Sequence, residues 1–399
     1  MLALSTLVNT VGRGIFMTLS ALYFTRVLGF SALQVGTGLA IAAVFAFAGG
    51  IPLGHLGDRR GAREVLVALL VLQGVFTGLV LVAQTYWQFV LVVSITQFVG
   101  SGANAVRGGL IAAAVTGSRR SATRAYLRSI TNIGITVGTG IAAIALHFDT
   151  RAAYMSVLYV DVLTFLLAAC VTLRLPRLAP AGAEVRASMW LATRDLPYLA
   201  VTISTGLLAM HYWIIEMALP LWVVEHTDAP RWAVSALMIL NTTAIILYQV
   251  PVARRIRSLR AARLASLLSG ALLLLACATL GLADGLGPWV ALGVLVVGAL
   301  VHVAGELVQA GAGFTIGFDL APDHAQGQYQ GLYGTSWSLA SLVAPPLMAL
   351  LPLGLGTSGW LLLGLVLLIA AGALALATRW AEGTRDRYAL TRAEAAPAA

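Results

Sequence analysis

Charged and strongly polar side chains are rare in this chain, and several of them interrupt long apolar runs. Arg13 has Asn9 one turn before it and Phe16 about one turn after it, on one helical face. Arg107 has Asn104 three residues before it. His211, Tyr212 and Glu216 share one run, and the i,i+4 spacing puts Tyr212 and Glu216 on one face. His302, Glu306 and Gln309 make a second stripe, and Asp161 is a third acid inside an apolar run. An ionisable group in such a run is costly against lipid, so it turns toward protein or a wet cavity. Desolvation favours a carboxylate's neutral form and a nearby cation its charged form, so a carboxylate whose surroundings change can bind and release a proton. On that chemistry Glu306, Glu216 and Asp161 are candidate proton carriers, with His302 as a relay one turn from Glu306. Arg13 and Arg107 suit either the balancing of those acids or the grip on an anionic group. Asn9, Phe16, Asn104, His211, Tyr212, Gln309 and Trp337 complete the set that would line a cavity and touch a small molecule. Fixed ion pairs between helices use the same residue types, and spacing alone leaves both roles open.

Enzyme chemistry finds no support. Ser, His and Asp residues are scattered over different runs without a nucleophile turn, and the glycine-rich stretches follow apolar helices rather than strands. His302 and Glu306 have no third and fourth ligand near them in sequence. The expectation is a chain that is no enzyme, holds no metal and needs no cofactor. No phosphate-binding loop of an ATP-driven machine appears either.

The elements that must position these residues are membrane helices. The 399 residues are 59% hydrophobic and 10% charged, with a mean hydropathy of +0.89, whereas soluble domains carry about 25% charged residues. Apolar runs of ~20 residues, enough to cross a bilayer, recur along nearly the whole length. Alternating segments of the barrel kind are absent. Hydropathy and turn signals predict twelve spans, at 3–27, 32–55, 62–84, 87–115, 121–147, 152–174, 197–225, 231–253, 263–284, 287–316, 327–353 and 357–380. All 25 basic residues are Arg, and the net charge is +9. They crowd the even-numbered loops and the tail, including Arg119, Arg120, Arg124, Arg186, Arg254, Arg255, Arg387 and Arg392, while the odd loops hold only Arg26, Arg151 and Arg231. The positive-inside rule then puts both termini in the cytoplasm. Arginines spread over short loops form no nucleic-acid stripe. Cys170 and Cys277 lie inside apolar runs and read as small buried hydrophobes.

The connection 175–196 has a linker composition and divides the spans six and six. The predicted organisation is an N-terminal half at 1–174, a linker at 175–196, a C-terminal half at 197–380 and a tail at 381–399. Span 5 opens with Ala125-Tyr126-Leu127-Arg128 and span 11 with Gly331-Leu332-Tyr333-Gly334, and both run on into small residues. The loop from Pro251 to Arg263 keeps the arginines of the loop from Gly54 to Arg63 but lacks its Asp and glycines. These are marks of two related halves.

The first of those loops reads Gly54-His55-Leu56-Gly57-Asp58-Arg59-Arg60-Gly61-Ala62-Arg63. It resembles the signature loop between helices 2 and 3 of the major facilitator superfamily, matching at Gly54, Leu56, Asp58, Arg59 and Gly61. The resemblance implies an all-α membrane protein of twelve helices in two six-helix halves, with helices 1, 4, 7 and 10 around a central cavity. Those four spans carry most of the intramembrane charge. It also implies a conformational latch made by Gly54, Asp58, Arg59 and Gly61, with Asp58 against the positive N-terminus of span 11 and with Gly54 and Gly57 letting helices 2 and 11 approach. Within the superfamily the chain is most similar to bacterial drug:proton antiporters. The run Leu146-His147-Phe148-Asp149-Thr150-Arg151 resembles their connection after span 5. Gly134 and Gly138 fit their span-5 motif, but Thr139 stands where that motif has Pro, and the same spacing serves plain helix packing. The resemblance implies a monomeric exporter in the cell membrane, with protons, a small-molecule substrate and the lipid bilayer as its partners and no nucleic acid. An importer or facilitator of the same fold, or a transport-inactive receptor, is the alternative.

Overall fold

The computed structural model describes residues 1–117, 119–148, 150–178 and 188–385. Arg186, Arg387, Arg392 and Asp149 lie outside them, as do the middle of the linker and most of the tail. The described residues form helices and no strand. In chain order these are α1 (Leu2–Leu22), α2 (Ala32–Arg60), α3 (Ala62–Val80), α4 (Tyr86–Ala114), α5 (Arg119–Phe148), α6 (Arg151–Leu173), the short α7 (Leu191–Arg194), α8 (Leu196–Ala209), α9 (Leu219–His226), α10 (Ala233–Ala253), α11 (Leu259–Gly281), α12 (Pro288–Asp319), α13 (Gln326–Met348) and α14 (Gly354–Gly383). Among the described residues, eleven stretches are long and apolar enough to cross a membrane. The last runs from Asp323 to Gly383 and contains a break at Gly356, where φ is 63°. It therefore holds predicted spans 11 and 12 together.

Polar residues start the helices where hydropathy alone is vague. Ser31 with Gln34, and Thr85 with Gln88, form reciprocal capping boxes at the heads of α2 and α4. Thr150, Ser258 and Asp195 cap α6, α11 and α8 through the N–H groups of Ala153, Ala261 and Tyr198. Three π-helical turns among the described residues, at Tyr23–Val27, Ile214–Ala218 and Ala349–Leu353, follow α1, precede α9 and follow α13. Such turns often mark functional sites, and Glu216 sits in the second of them.

The chain divides into two compact units. The first comprises Met1–Thr116, Leu127–Ala192 and Ala321–Gly334, and the second Gly117–Tyr126, Thr193–Leu320 and Thr335–Ala399. In the first unit α2 packs on α4, and α6 packs on α1 and α3. An aromatic cluster of Tyr23, Phe24, Phe30, Tyr86 and Phe89 fills one end, with the Phe24 and Phe89 ring centroids 4.4 Å apart. In the second unit α11 packs on α12 and α14, and α10 on α12. Lipid surroundings supply no hydrophobic drive between helices, so close approach at small residues does that work. A Cβ on Gly270 would sit 2.5 Å from that of Ala371, and one on Gly364 3.0 Å from the Cα of Leu274. Ser269 Oγ donates to the carbonyl of Gly305 at 2.9 Å and stitches α11 to α12. Large apolar side chains such as Leu33, Val44, Leu342 and Leu376 face outward, as a bilayer requires.

Candidate functional site

In the second unit the α12 stripe is buried and polar. Glu306 is 3% exposed, and its Oε2 accepts from Asn241 Nδ2 of α10 at 3.2 Å. Gln309 Oε1 accepts from the Tyr212 hydroxyl at 3.2 Å. His302 Nε2 lies 3.1 Å from the carbonyl oxygen of His211 and so carries the proton that it donates there. The other ring nitrogen, Nδ1, is buried without a hydrogen-bond partner among the described residues. That carbonyl belongs to the turn between α8 and the second π turn. The His211 ring lies 5.3 Å from that of His302 and 4.1 Å from that of Tyr212. Tyr212 and Trp213 each approach Trp337 to 5.2 Å. Glu216 is exposed, unlike Glu306, and lies within its electrostatic reach. The unit therefore combines two acids, one open and one buried, with a series of five neighbouring rings. Ile245, Val303 and Leu307 make an apolar cluster where α10 meets α12.

The first unit gathers a smaller polar set. Arg107, 9% exposed, donates from Nη1 to Asn104 Oδ1 at 3.5 Å and from Nη2 to Asn9 Oδ1 at 3.4 Å. Arg13 is exposed and pairs with no described residue, while Phe16 joins the aromatic cluster 6.4 Å from Phe24. Asp161 makes no hydrogen bond to any of these among the described residues. It is buried on the seam of α6 with α1, where a Cβ on Gly12 would collide with its carboxylate and with Thr164 Oγ1. Among the described residues its side chain bonds only the Thr164 hydroxyl, at 3.5 Å, and has no arginine beside it.

The Gly54–Arg63 segment closes at the end of α2. Asp58 Oδ1 accepts from the N–H of Gly327 at 2.7 Å, and Oδ2 from that of Gln328 at 2.9 Å. Both donors belong to the first turn of α13, whose leading N–H groups lack helical partners. A Cβ on Gly54 would lie 2.2 Å from the Gly327 carbonyl oxygen, so the two backbones touch. Gly61 adopts φ 101°, which turns α2 directly into α3. Gly57 does not serve the α13 approach as expected: it faces Val106 of α4. Arg59 is exposed and has no ion pair among the described residues. Arg63 instead pairs with Glu64 at 3.3 Å and donates to the carbonyl of Leu173. Two other expectations change: Cys170 is exposed rather than buried, and only Cys277 behaves as a core residue.

The structure adds Asn241 and Gln328, which the sequence does not single out. Asn241 is an amide inside an apolar span, the same signal that marks Asn104. Gln328 stands at a helix start, where polar residues are ordinary.

Helices of lipid-crossing length with buried polar side chains define a multi-pass α-helical membrane protein. Residues 2–345 match the family model of the Major Facilitator Superfamily, and the chain belongs to that superfamily. Solved structures agree on the fold. A bacterial homologue of the iron transporter ferroportin has a TM-score of 0.69 at 16% identity, covering 96% of this chain and 98% of that one. The proton:xylose symporter XylE has a TM-score of 0.69 at 12% identity, covering 93% and 94%. The human organic anion transporter MFSD10 has 0.65 at 16%, covering 94% and 97%. The fold is that of secondary transporters.

Proposed function

We propose that the chain exports a small molecule or drug in exchange for protons, by alternating access. The observation that carries this is Glu306: a buried acid bonded by the Asn241 amide, with the open acid Glu216 in electrostatic reach and rings alongside. A neutral amide can bond a carboxyl group in either protonation state, so it does not fix the acid in its charged form. Rings and acids together suit a cargo with an apolar body and a positive charge. His302, with its free Nδ1, is the proton relay in this scheme. Asp58 is the latch, and its release from the head of α13 opens the cycle. Asp161 forms no ion pair among the described residues and its described partner is the Thr164 hydroxyl, so it ranks below the two glutamates as a carrier.

The test is transport in proteoliposomes with an imposed pH gradient, screened over cationic and neutral amphiphiles. Glu306→Gln should abolish gradient-driven transport while leaving cargo exchange at equilibrium, and Glu216→Gln should weaken it. Intact coupling in both variants would overturn the carrier assignment. A second reading, import or facilitated diffusion, draws on Thr139 in place of the antiporter proline. It predicts uptake in the direction of the proton gradient, or uptake with no gradient at all.

A further inference from the structure

We infer that Gln328 is a positioning residue that binds the end of the linker to the Asp58 contact. The side chain is fully buried. Its Nε2 donates to the carbonyl of Ser188 at 3.0 Å and to His55 Nδ1 at 3.2 Å. Its Oε1 accepts from the N–H of Ala192 at 2.7 Å. Its own backbone N–H donates to Asp58 Oδ2 at 2.9 Å. One residue thus joins α2, the head of α13 and the linker end.

The orientation of that amide is set by its partners. The Ala192 N–H can only donate and the Ser188 carbonyl can only accept, so the amide oxygen must face the first and the nitrogen the second. The remaining N–H then points at His55, whose Nδ1 must offer a lone pair and whose proton sits on Nε2. No other side chain of this size supplies one acceptor and two donors in that layout, since Glu lacks the donors and Asn is a methylene shorter. Ala192 lies in the first turn of α7, where N–H groups have no helical partner. Gln328 caps that turn from across the chain. When the head of α13 leaves Asp58, Gln328 leaves with it, and α7 loses its cap. The linker end therefore moves with the latch. The role in transport rests on Asp58 being the latch, but the binding of the linker does not.

Hydrogen exchange read by mass spectrometry on the full chain in lipid nanodiscs tests this. Gln328→Ala should raise exchange of residues 188–194 about tenfold, the amount expected for loss of a buried hydrogen bond worth ~1.4 kcal/mol. His55→Gln keeps an acceptor and should stay within about twofold of the parent, while His55→Leu should exceed it severalfold. Asp58→Asn should raise exchange both at 327–328 and at 188–194. Unchanged exchange at 188–194 in Gln328→Ala overturns the inference, as does a response to Asp58→Asn confined to 327–328. If Gln328→Ala loosens the whole chain, the His55 pair decides, and equal exchange in Gln and Leu overturns it. Failure of the latch reading has its own signature, namely normal transport in Asp58→Asn.

Discussion

Asp58 and Asn241 show how much one polar side chain carries at a helix contact. Both Asp58 oxygens accept backbone N–H groups at a helix head, a charge-assisted arrangement worth roughly 1.5–3 kcal/mol per bond. Asparagine at this position keeps one acceptor and turns an NH2 toward the other donor. Asp58→Asn should therefore cut turnover at least ~10-fold while the purified protein keeps its helical content, read by transport assay and circular dichroism. Asn241 matters for a related reason: it donates to Glu306. Asn241→Ala should reduce gradient-driven transport by ~10-fold or more if the acid is charged at any stage of the cycle. Unchanged coupling in that variant would place the proton elsewhere. These two sites also mark what the sequence discloses at this scale. Asp58 is legible because a recurrent loop pattern frames it. Glu306, His302 and Gln309 are legible because a polar stripe in an apolar run has few uses. Their partners are set by which helices meet, and no local spacing encodes that.

Helices are legible for a simpler reason, since the length of a lipid crossing is written in hydropathy. The predicted spans and the helices agree at the ends that matter, as at Val27, where the π turn after α1 stops. What hydropathy misses is the irregular backbone inside those spans. The π turns at Ile214–Ala218 and Ala349–Leu353 are as apolar as their neighbours, apart from Glu216. Packing gives the span-5 glycines a structural use. Gly134 and Gly138 of α5 lie against α1, where a Cβ on Gly138 would come within 2.0 Å of the Val11 carbonyl oxygen and one on Gly134 within 2.1 Å of Thr10 Oγ1. Gly140, two residues on, has nothing within 4 Å. Backbone cannot yield as a flexible side chain can. Gly138→Ala should therefore lower stability by ~1–3 kcal/mol, and Gly140→Ala should not. Thermal unfolding of the two variants side by side checks it. A neutral Gly138→Ala would mean that α1 and α5 separate more readily than their contact suggests.

At the scale of the whole molecule the two units repeat a theme with different chemistry. The first unit includes the head of α13, held by Asp58. The second includes the head of α5, where Ser121 Oγ lies 3.0 Å from Thr315 Oγ1, and that threonine also bonds the Ile256 carbonyl at 2.9 Å. Ile256 belongs to the loop that the sequence marks as the degraded copy of Gly54–Arg63. That loop thus meets the head of α5 through a neutral hydroxyl of α12, whereas the Gly54–Arg63 loop meets the head of α13 through a carboxylate of its own. Neutral hydrogen bonds are worth about half of charge-assisted ones, so the two contacts should be unequal. Thr315→Val removes the neutral pair at a cost of ~1 kcal/mol, against ~2–3 kcal/mol for Asp58→Asn. A tenfold change in an equilibrium takes about 1.4 kcal/mol. Thr315→Val should then keep turnover within about fivefold of the parent, and Asp58→Asn should fall well below it. Parallel turnover measurements on both variants and the double variant decide the matter. Equal losses in the two singles would mean that the threonine contact carries as much of the cycle as the carboxylate, and that the asymmetry between the loops has no energetic weight.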